Sequence, residues 1–417
     1  SHASRCEDRS GAVVSSVAAR SVANTDEPAA HDSLCSLSPR LVGGGAGELL
    51  SLDLEGALEL IDADFQDGVH AARSFPLAAA CVPCAELLEH CNQTITHQFP
   101  KGRPAHDWRC MMNRRIGLSW RAKDPSLVWL DDKVAQVDVV TALCGGQLHL
   151  PIYAHASTGD CSAVAALCDA ICERVKRDEP IVVKPRHGSN SVHVTLWPHP
   201  RTSGEAAVLA SAQAALNAWD ASFKKESWNQ NAVPKGALLQ PLYAPMSDVP
   251  VSDQNAEPTV TLRPLELKVQ VLFGEVVGGT LHTHSLLIWV TRNGYVHLWD
   301  HAARSSWMPQ RRLERHYDFA LPPGALDTLR RELRAHWTKI RGSSERLARE
   351  AGLDEIRVDW LLGDEKWGPR VGELTYMGTF ALAVLPVSAR LARAFAAAHL
   401  SRGRTAAVEP EKVELLP

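Results

Sequence analysis

The stretch IRVDWLLGDEKWGPRVGELTY, residues 356–376, alternates polar and apolar side chains on both sides of a turn. Side chains two apart on a strand share a face, so the Gly363–Gly368 turn is predicted to join Ile356–Leu362 and Val371–Tyr376 into a hairpin. One face of this hairpin is polar and carries Arg357, Asp359, Glu373 and Thr375. The opposite face is apolar.

Two carboxylates on one face of a hairpin predict a bound cation. Asp and Glu are depleted in strands, and a carboxylate that faces the interior costs several kcal/mol unless it is paired. Asp359 and Glu373 together therefore indicate a hard, oxygen-seeking ion such as Mg²⁺, which takes one or two carboxylates plus substrate phosphates. An amphipathic hairpin with its charged face in water, where Arg357 only neutralises Asp359, is the open alternative.

A second polar site is predicted at Ile181–Leu196, where a loop joins two strands. Lys184 ends a β-branched run, and the small residues 188–191 follow before the strand alternation resumes. Such a loop can present backbone N–H groups to a polyphosphate while the lysine supplies a positive charge. An ordinary hairpin with a surface lysine explains the same pattern.

A third basic residue lies further upstream, at a predicted helix start. The apolar run Leu127–Leu130 gives way to Asp131, Asp132 and Lys133, and valines then recur at helical spacing. Asp is favoured at the cap and in the first turn of a helix. Lys133 is therefore predicted in the first helical turn, either as a phosphate contact or as a solvated surface residue.

These motifs come in the order of an ATP-grasp domain, which the chain resembles over roughly Asp124 to Leu385. Within this superfamily the sequence most resembles the TupA-like branch, which is named for teichuronopeptide biosynthesis. Each motif is short, but several in the right order are more specific than any one of them. The motifs are Lys133, Lys184, the hinge-like strand 237–243, Glu266-Leu-Lys268, Arg357-Val-Asp359 and Gly372-Glu-Leu-Thr375.

The resemblance implies an α+β ATP-grasp fold that holds a nucleotide between two α+β subdomains, with a helical N-terminal subdomain. It implies ATP and Mg²⁺ as ligands, with Arg357 and Lys268 in catalysis. The implied metal ligands are Asp359, Glu373 and Thr375. The implied nucleotide contacts are Lys133, Lys184, His187, Gly188, Ser189, Gln240 and Leu242. Two positions depart from the common pattern: Gln240 stands where Glu is usual, and Thr375 where many of these enzymes have Asn.

The activity implied by the resemblance is an ATP-dependent carboxylate–amine ligase acting on small molecules. The carboxylate would attack the γ-phosphate to give an acyl phosphate and ADP, and the amine would then displace phosphate. Two alternatives stay open. A glycosyltransferase in polysaccharide assembly would use an Asp-x-Asp motif, which occurs at Asp62-Ala-Asp64. A non-catalytic ATP-binding module would account for Gln240 and Thr375.

Length and composition bound the remaining possibilities. A chain of 417 residues predicts two or three subdomains, because a single core usually stops growing at a smaller size. The formal net charge of −4 gives no general attraction to nucleic acid or anionic lipid. Apolar runs stay short of a bilayer span, so a soluble, cytoplasmic protein is expected. Neither the oligomeric state nor the acid and amine substrates can be read from the sequence.

The predicted organisation begins with a leader or linker. Residues 1–47 are rich in Ser, Ala, Arg and Gly and show no apolar period, which predicts disorder or the remnant of an organelle-targeting segment. The divisions that follow are an N-terminal subdomain (48–124), a central ATP-grasp subdomain (125–240), a C-terminal ATP-grasp subdomain (241–400) and a tail (401–417).

Ten cysteines invite other interpretations. Cys81-Val-Pro-Cys84 has part of the spacing of a zinc site, but a second Cys-x-x-Cys is missing. Free thiols in a reducing compartment are the main expectation, and metal binding by Cys81 and Cys84 stays open.

Overall fold

The fold is a pair of antiparallel sheets flanked by helices, which confirms the predicted α+β class. It is seen in a computed structural model. The structure describes residues 72, 74–82, 84–96, 107–187, 192–218, 227–246, 264–282, 286–294, 296–300, 325–378 and 385–408.

Ten strands form the two sheets in the described part of the chain. The smaller sheet has the order β1-β4-β2-β3 and the larger sheet the order β10-β9-β5-β6-β7-β8. The strands are β1 (Ala154–Ser157), β2 (Ile181–Pro185), β3 (Thr195–Trp197), β4 (Gly236–Pro241), β5 (Leu265–Leu272), β6 (Glu275–His282), β7 (Leu286–Val290), β8 (Val296–Asp300), β9 (Glu355–Leu362) and β10 (Arg370–Thr375).

The helices cover the outer faces of the sheets and the N-terminal region. They are α1 (Ala85–Ile95), α2 (Asp107–Ala122), α3 (Lys133–Cys144), α4 (Cys161–Arg177), α5 (Pro200–Ser203), α6 (Glu205–Asn217), α7 (Trp228–Ala232), α8 (Ala325–Ala351) and α9 (Leu385–Val408). Short 3-10 turns lie at Ala79–Cys81 and Pro125–Leu130. No helix among these is both long enough and apolar enough to cross a bilayer.

Two separate hydrophobic cores underlie the two sheets. The smaller core packs β2 and β4 against α4 and α6, through residues such as Ile171, Val183 and Leu239. The larger core joins β5, β6 and β9 to α1, α2, α8 and α9. Leu130 and Val140 also lie in the larger core, so the helix that begins at Lys133 packs on the larger sheet although it precedes the smaller one.

The hairpin predicted from residues 356–376 is confirmed as β9 and β10. Val358 and Trp360 are fully buried on its apolar face. A register shift between Val371 and Glu373 sets Glu373 opposite Asp359. Such a bulge inserts an extra residue and re-aims a side chain, so it brings the two acidic residues into direct cross-strand opposition.

Other elements follow the sequence closely, with a few differences. Helix α6 ends at Asn217, and β6 and β7 are separate strands. Residues 401–408, predicted as the start of the tail, continue helix α9. The leader 1–47, Asp62, Asp64 and residues 409–417 lie outside the described residues.

Candidate active site

The polar faces of the two sheets meet in one cleft. The smaller sheet contributes Lys184 and Gln240, whose neighbours Val183 and Leu239 point into the smaller core. The larger sheet contributes the polar face of β5, β9 and β10. Lys133, at the start of α3, closes the space between them by pairing with Glu373. We refer to this space as the cleft.

A row of charged residues crosses the larger sheet at the cleft. Glu373 on β10 lies opposite Asp359 on β9, and Asp359 lies opposite Lys268 on β5. Cβ atoms of directly opposed residues lie about 4.5–5.5 Å apart in antiparallel sheets. The row therefore holds two carboxylates and one ammonium group within a few ångströms.

Asp359 is fully buried and is held by two basic residues. Arg357 donates to it from Nε at 2.7 Å and from Nη2 at 2.8 Å, and Lys268 Nζ donates at 2.7 Å. Burial alone would raise the pKa of Asp359, but the charges of Arg357 and Lys268 outweigh burial and lower it. Asp359 is therefore ionised at neutral pH.

Lys268 and Arg357 keep their charge for the same reason. Burial lowers the pKa of Lys268, but Asp359 and Glu266, whose carboxylate lies 2.7 Å from Nζ, raise it above its ordinary value. Arg357 also donates to the Thr375 hydroxyl at 2.9 Å. A Cβ on Gly378 would lie 2.7 Å from Thr375 Cγ2, so the chain beyond β10 passes too close to this group for a larger residue.

Lys133 and Glu373 form an ion pair across the cleft. The Nζ–Oε1 distance is 3.0 Å, with the Lys133 side chain 9% exposed and that of Glu373 34% exposed. The cap of α3 fixes Lys133, as predicted: Asp132 accepts the Val134 N–H at 3.0 Å. The same carboxylate accepts two bonds from Arg186, at 2.7 Å and 2.5 Å. The start of α3 is thereby tied to the end of β2, which carries Lys184.

Lys184 faces the same charged group. Burial and then the nearby Lys133 ammonium lower its pKa to about 8, whereas Glu373 and Glu266 act in the opposite direction. The Lys184 ammonium therefore interacts electrostatically with Lys133 and with carboxylates of the larger sheet. No described side chain forms an ion pair with Lys184.

The hinge strand β4 meets a short segment at the back of the cleft. Gln240 is buried and donates from Nε2 to the Leu150 carbonyl at 3.2 Å, while the Leu148 carbonyl accepts the Val371 N–H at 2.9 Å. Residues 148–150 therefore connect the hinge to β10. The Leu242 N–H donates to Pro180 O at 3.0 Å, so any contact of Leu242 with a ligand in this conformation uses its carbonyl or side chain.

His187 is fully buried, and both ring nitrogens are engaged. Nε2 lies 2.5 Å from the Ala218 carbonyl, and Nδ1 accepts the Gly236 N–H at 3.3 Å. This geometry favours a role in anchoring the start of the 188–191 loop over direct contact with a ligand. Gly188 and Ser189, predicted as nucleotide contacts, lie outside the described residues.

The acidic pair can be tested for its fit to magnesium. The described residues contain no group of three or more His, Cys, Asp or Glu side chains that could hold a metal. Asp359 and Glu373 nevertheless supply two opposed carboxylates, each compensated by a cation. Mg²⁺ suits one or two carboxylates combined with substrate phosphates. The pair fits a metal that arrives with a polyphosphate, and Thr375 could add its hydroxyl oxygen.

A second charged cluster lies wholly inside the protein, beyond the end of the cleft. Arg115 on α2 donates to Asp354 at 2.7 Å and to Glu355 at 3.3 Å. His399 on α9 lies 3.0 Å from Asp354, and Tyr376 accepts a 2.6 Å bond from Arg115. We call these five residues the buried network. They join the N-terminal helices and α9 to the strands that carry the cleft residues.

No disulfide joins the cysteines that the structure describes, as predicted. Cys81 is buried, with its Sγ 3.2 Å from the Tyr376 hydroxyl, whereas Cys84 is exposed. Burial raises the pKa of Cys81 to about 12, so its thiol is neutral.

Solved structures of other proteins match part of this fold, at low sequence identity. No family model matches the sequence, and no protein of curated function matches it. Solved structures that match include D-cycloserine synthetase DcsG, with 17% identity over 74% of this chain and 93% of that one and a TM-score of 0.35. D-alanine–D-alanine ligase from Bacillus anthracis matches with 13% identity over 67% and 71% and a TM-score of 0.34.

Biotin carboxylase from Campylobacter jejuni also matches, with 10% identity over 64% of this chain and a TM-score of 0.34. This chain spans 47% of that protein, about half its length. TM-scores of this size indicate a partial likeness. The ATP-grasp ligase PsnB matches as well, with 11% identity over 60% of this chain and 54% of that one and a TM-score of 0.29.

Sequence reasoning did not identify two features of the site. The pairing of Arg186 with Asp132 was missed, although both residues stand beside predicted lysines. His149 was missed as well: it is 3% exposed, and neither ring nitrogen has a hydrogen-bond partner among the residues that the structure describes. Burial, followed by the charge of Lys184, lowers its pKa to about 3. The segment Leu148–Leu150 contains no motif that could have signalled it.

Proposed function

We propose that this protein is an ATP-dependent ligase of the ATP-grasp type that activates a small-molecule carboxylate as an acyl phosphate and joins it to an amine. The observation that carries the proposal is the convergence of Lys133, Lys184, Asp359 and Glu373 on one cleft between two sheets. Moving a phosphoryl group depends mainly on positioning and on charges fixed where negative charge develops.

In this proposal the basic residues bind the nucleotide. Lys133 and Lys184 hold the α- and β-phosphate region, and the hinge near Gln240 and Leu242 faces the base. Gly188 and Ser189, which follow His187 in the sequence, are proposed as further nucleotide contacts. Magnesium, held by Asp359, Glu373 and Thr375, supplies positive charge to the phosphate oxygens when it is bound.

Arg357 and Lys268 are proposed to act at the reacting end. The planar guanidinium of Arg357 matches either the acceptor carboxylate or the transferred phosphoryl group. Asp359 keeps both basic groups charged and oriented, through the bonds at 2.7–2.8 Å. Neither role requires a protein nucleophile.

The proposed reaction balances in two steps. A carboxylate oxygen attacks the γ-phosphorus, the bond to the bridging oxygen breaks, and ADP leaves with the electron pair. The amine nitrogen then attacks the acyl carbon, the carbon–oxygen bond to phosphate breaks, and the amine loses a proton. The products are an amide, ADP and phosphate.

A screen for ADP release tests this function. Amino acids and uronic acids are each paired with amines, and ADP is expected only when an acid and an amine are both present. Lys184→Ala and Glu373→Ala are expected to lose turnover, whereas Lys176→Ala, an exposed lysine on α4, keeps it. Release of AMP would contradict the reaction class. Full turnover in both cleft variants would contradict the site.

One observation favours a second candidate, a nucleotide-binding module without catalysis. Both oxygens of Asp359 already accept hydrogen bonds from within the protein. A protein of this kind would bind Mg-ATP tightly and release no ADP across the same screen. The TupA-like assignment and a cytoplasmic location remain part of the proposal. For the glycosyltransferase alternative, the Asp62-Ala-Asp64 motif lies outside the described residues.

A further inference from the structure

The Lys133–Glu373 ion pair joins a residue proposed to hold phosphate to one proposed to hold the metal. We infer that this pair makes nucleotide and divalent metal bind cooperatively. A phosphate that binds Lys133 alone takes this counter-charge away from Glu373, and a metal that binds Glu373 alone takes it away from Lys133. When both ligands bind, each residue receives a new counter-charge. The inference rests on the proposed function, because it concerns the same cleft.

The charge balance of the cleft supports this coupling. Its acidic residues are Glu266, Asp359 and Glu373, and its basic residues are Lys133, Lys184, Lys268 and Arg357. The described part of the cleft is therefore nearly balanced, with one more basic than acidic group. A dication alone makes it strongly positive, and a free polyphosphate makes it strongly negative. Their complex leaves it closest to neutrality.

Burial makes this balance matter. Partly buried charges are screened by salt much less than exposed ones. Removing one partner of a buried pair leaves an uncompensated charge, which is strongly unfavourable. Lys133 is 9% exposed, Lys184 and Lys268 are also partly buried, and Glu373 is 34% exposed, so water screens these charges less than it screens charges on the open surface.

The backbone around the pair limits relaxation. The Lys133 N–H donates to the Arg186 carbonyl at 3.3 Å, and Asp132 holds the Arg186 side chain. On the other side, the register shift in β10 sets Glu373 opposite Asp359. The backbone on both sides therefore keeps Lys133 and Glu373 within reach of each other, so a ligand that binds one of them competes with the other.

Two charge-removing variants test the coupling by binding alone. Lys133→Met and Glu373→Gln are titrated calorimetrically with Mn²⁺ alone, with ATP in EDTA, and with ATP plus Mn²⁺. Lys133→Met is expected to bind Mn²⁺ alone about tenfold more tightly and ATP in EDTA more weakly, within the usual range of coupling between sites. Glu373→Gln is expected to show the reverse: tighter ATP in EDTA and weaker Mn²⁺.

A merely structural role for the pair would not produce gains in opposite directions. Lys133→Arg, which keeps the charge, is expected to show no gain in affinity for Mn²⁺ alone. Lys176→Met and Glu173→Gln, at exposed positions on α4, are expected to change neither affinity. Thermal unfolding of each variant verifies that it is folded.

The outcomes separate the two proposals. If the wild-type protein binds ATP with Mn²⁺ but neither variant gains affinity for the opposite ligand, the coupling is wrong and the proposed function stands. If the wild-type protein binds no ATP under any of these conditions, the proposed function fails and the coupling fails with it.

Discussion

Arg357 and Asp359, two residues apart on β9, are joined by two parallel hydrogen bonds of 2.7 Å and 2.8 Å. Lys268 adds a third bond to the same carboxylate from the neighbouring strand. The three side chains form a buried charged group in which the Asp359 carboxylate and the two cations stabilise one another in the charged state.

Asp359→Asn is expected to lower the free energy of unfolding by about 3–5 kcal/mol, because it leaves Arg357 and Lys268 without their buried counter-charge. Glu173→Gln is the matched control, since its ion pair with Arg177 is exposed, with the Glu173 side chain 51% exposed, and its loss is expected to cost about 1 kcal/mol or less. Urea denaturation at neutral pH measures both. If the two variants lose the same free energy of unfolding, Asp359 does not stabilise the fold by neutralising Arg357 and Lys268.

Nucleotide affinity is expected to fall as the pH rises through the pKa of Lys184, which lies near 8 in the free protein. A polyphosphate favours the charged lysine, so binding raises this pKa and takes up a proton above about pH 8. Affinity should then decrease by about tenfold per pH unit until the pKa of the complex is reached. Calorimetric titration with ATP from about pH 7 to about pH 9 measures the slope.

Lys184→Arg provides the comparison for that slope. Arginine stays charged throughout this range, so the decline attributed to Lys184 should disappear even if the overall affinity changes. An unchanged slope in Lys184→Arg would assign the pH dependence to another group.

Glu355, in the buried network, is expected to make stability fall between about pH 4.5 and pH 7. Burial raises its pKa from 4.5 to about 7, and the charge of Arg115 only partly opposes this. Between these values the folded protein binds the additional proton, so its stability decreases as the pH rises. The stability of the wild-type protein relative to Glu355→Gln should therefore decline across this interval.

Glu179 offers a control of opposite sign. Although burial raises its pKa, hydrogen bonds from Tyr153 and Arg174 and the charge of Arg174 lower it overall. Its contribution is present above the unfolded pKa and is lost as the pH falls through the folded pKa. Stability of the wild-type protein relative to Glu179→Gln should therefore increase with pH in the acidic range. Parallel trends in the two comparisons would contradict the assignment to Glu355.

The parts of the site that the sequence predicts are those set by local patterns. The β9–β10 hairpin follows from strict alternation around a turn, and the position of Lys133 follows from the capping preference of Asp132. Such patterns report which face a side chain occupies. They do not report which distant residue it meets.

The remainder of the site depends on those distant meetings. Nothing near Lys133 indicates that Glu373 will be its partner, and nothing near Arg115 indicates Asp354. His187 also has contacts that its neighbouring sequence does not reveal. Its place beside a predicted loop suggested a ligand contact, and the sequence gave no sign that its ring nitrogens would lie against Ala218 and Gly236. Sequence spacing therefore identified the charged groups of the cleft but not the way in which they neutralise one another.

Gln240→Glu is expected to destabilise this protein. The Gln240 amide donates to the buried Leu150 carbonyl at 3.2 Å. A glutamate carboxylate has no proton to donate, so its oxygen would face the carbonyl oxygen without a hydrogen bond. A buried acceptor without a donor costs about 1–3 kcal/mol. Protonation would restore a donor, so the loss should be smaller at about pH 5 than at about pH 8. Urea denaturation at both values measures it, with exposed Gln213→Glu on α6 as the control. Stability equal to that of the wild-type protein at about pH 8 would mean that the hinge does not depend on this hydrogen bond.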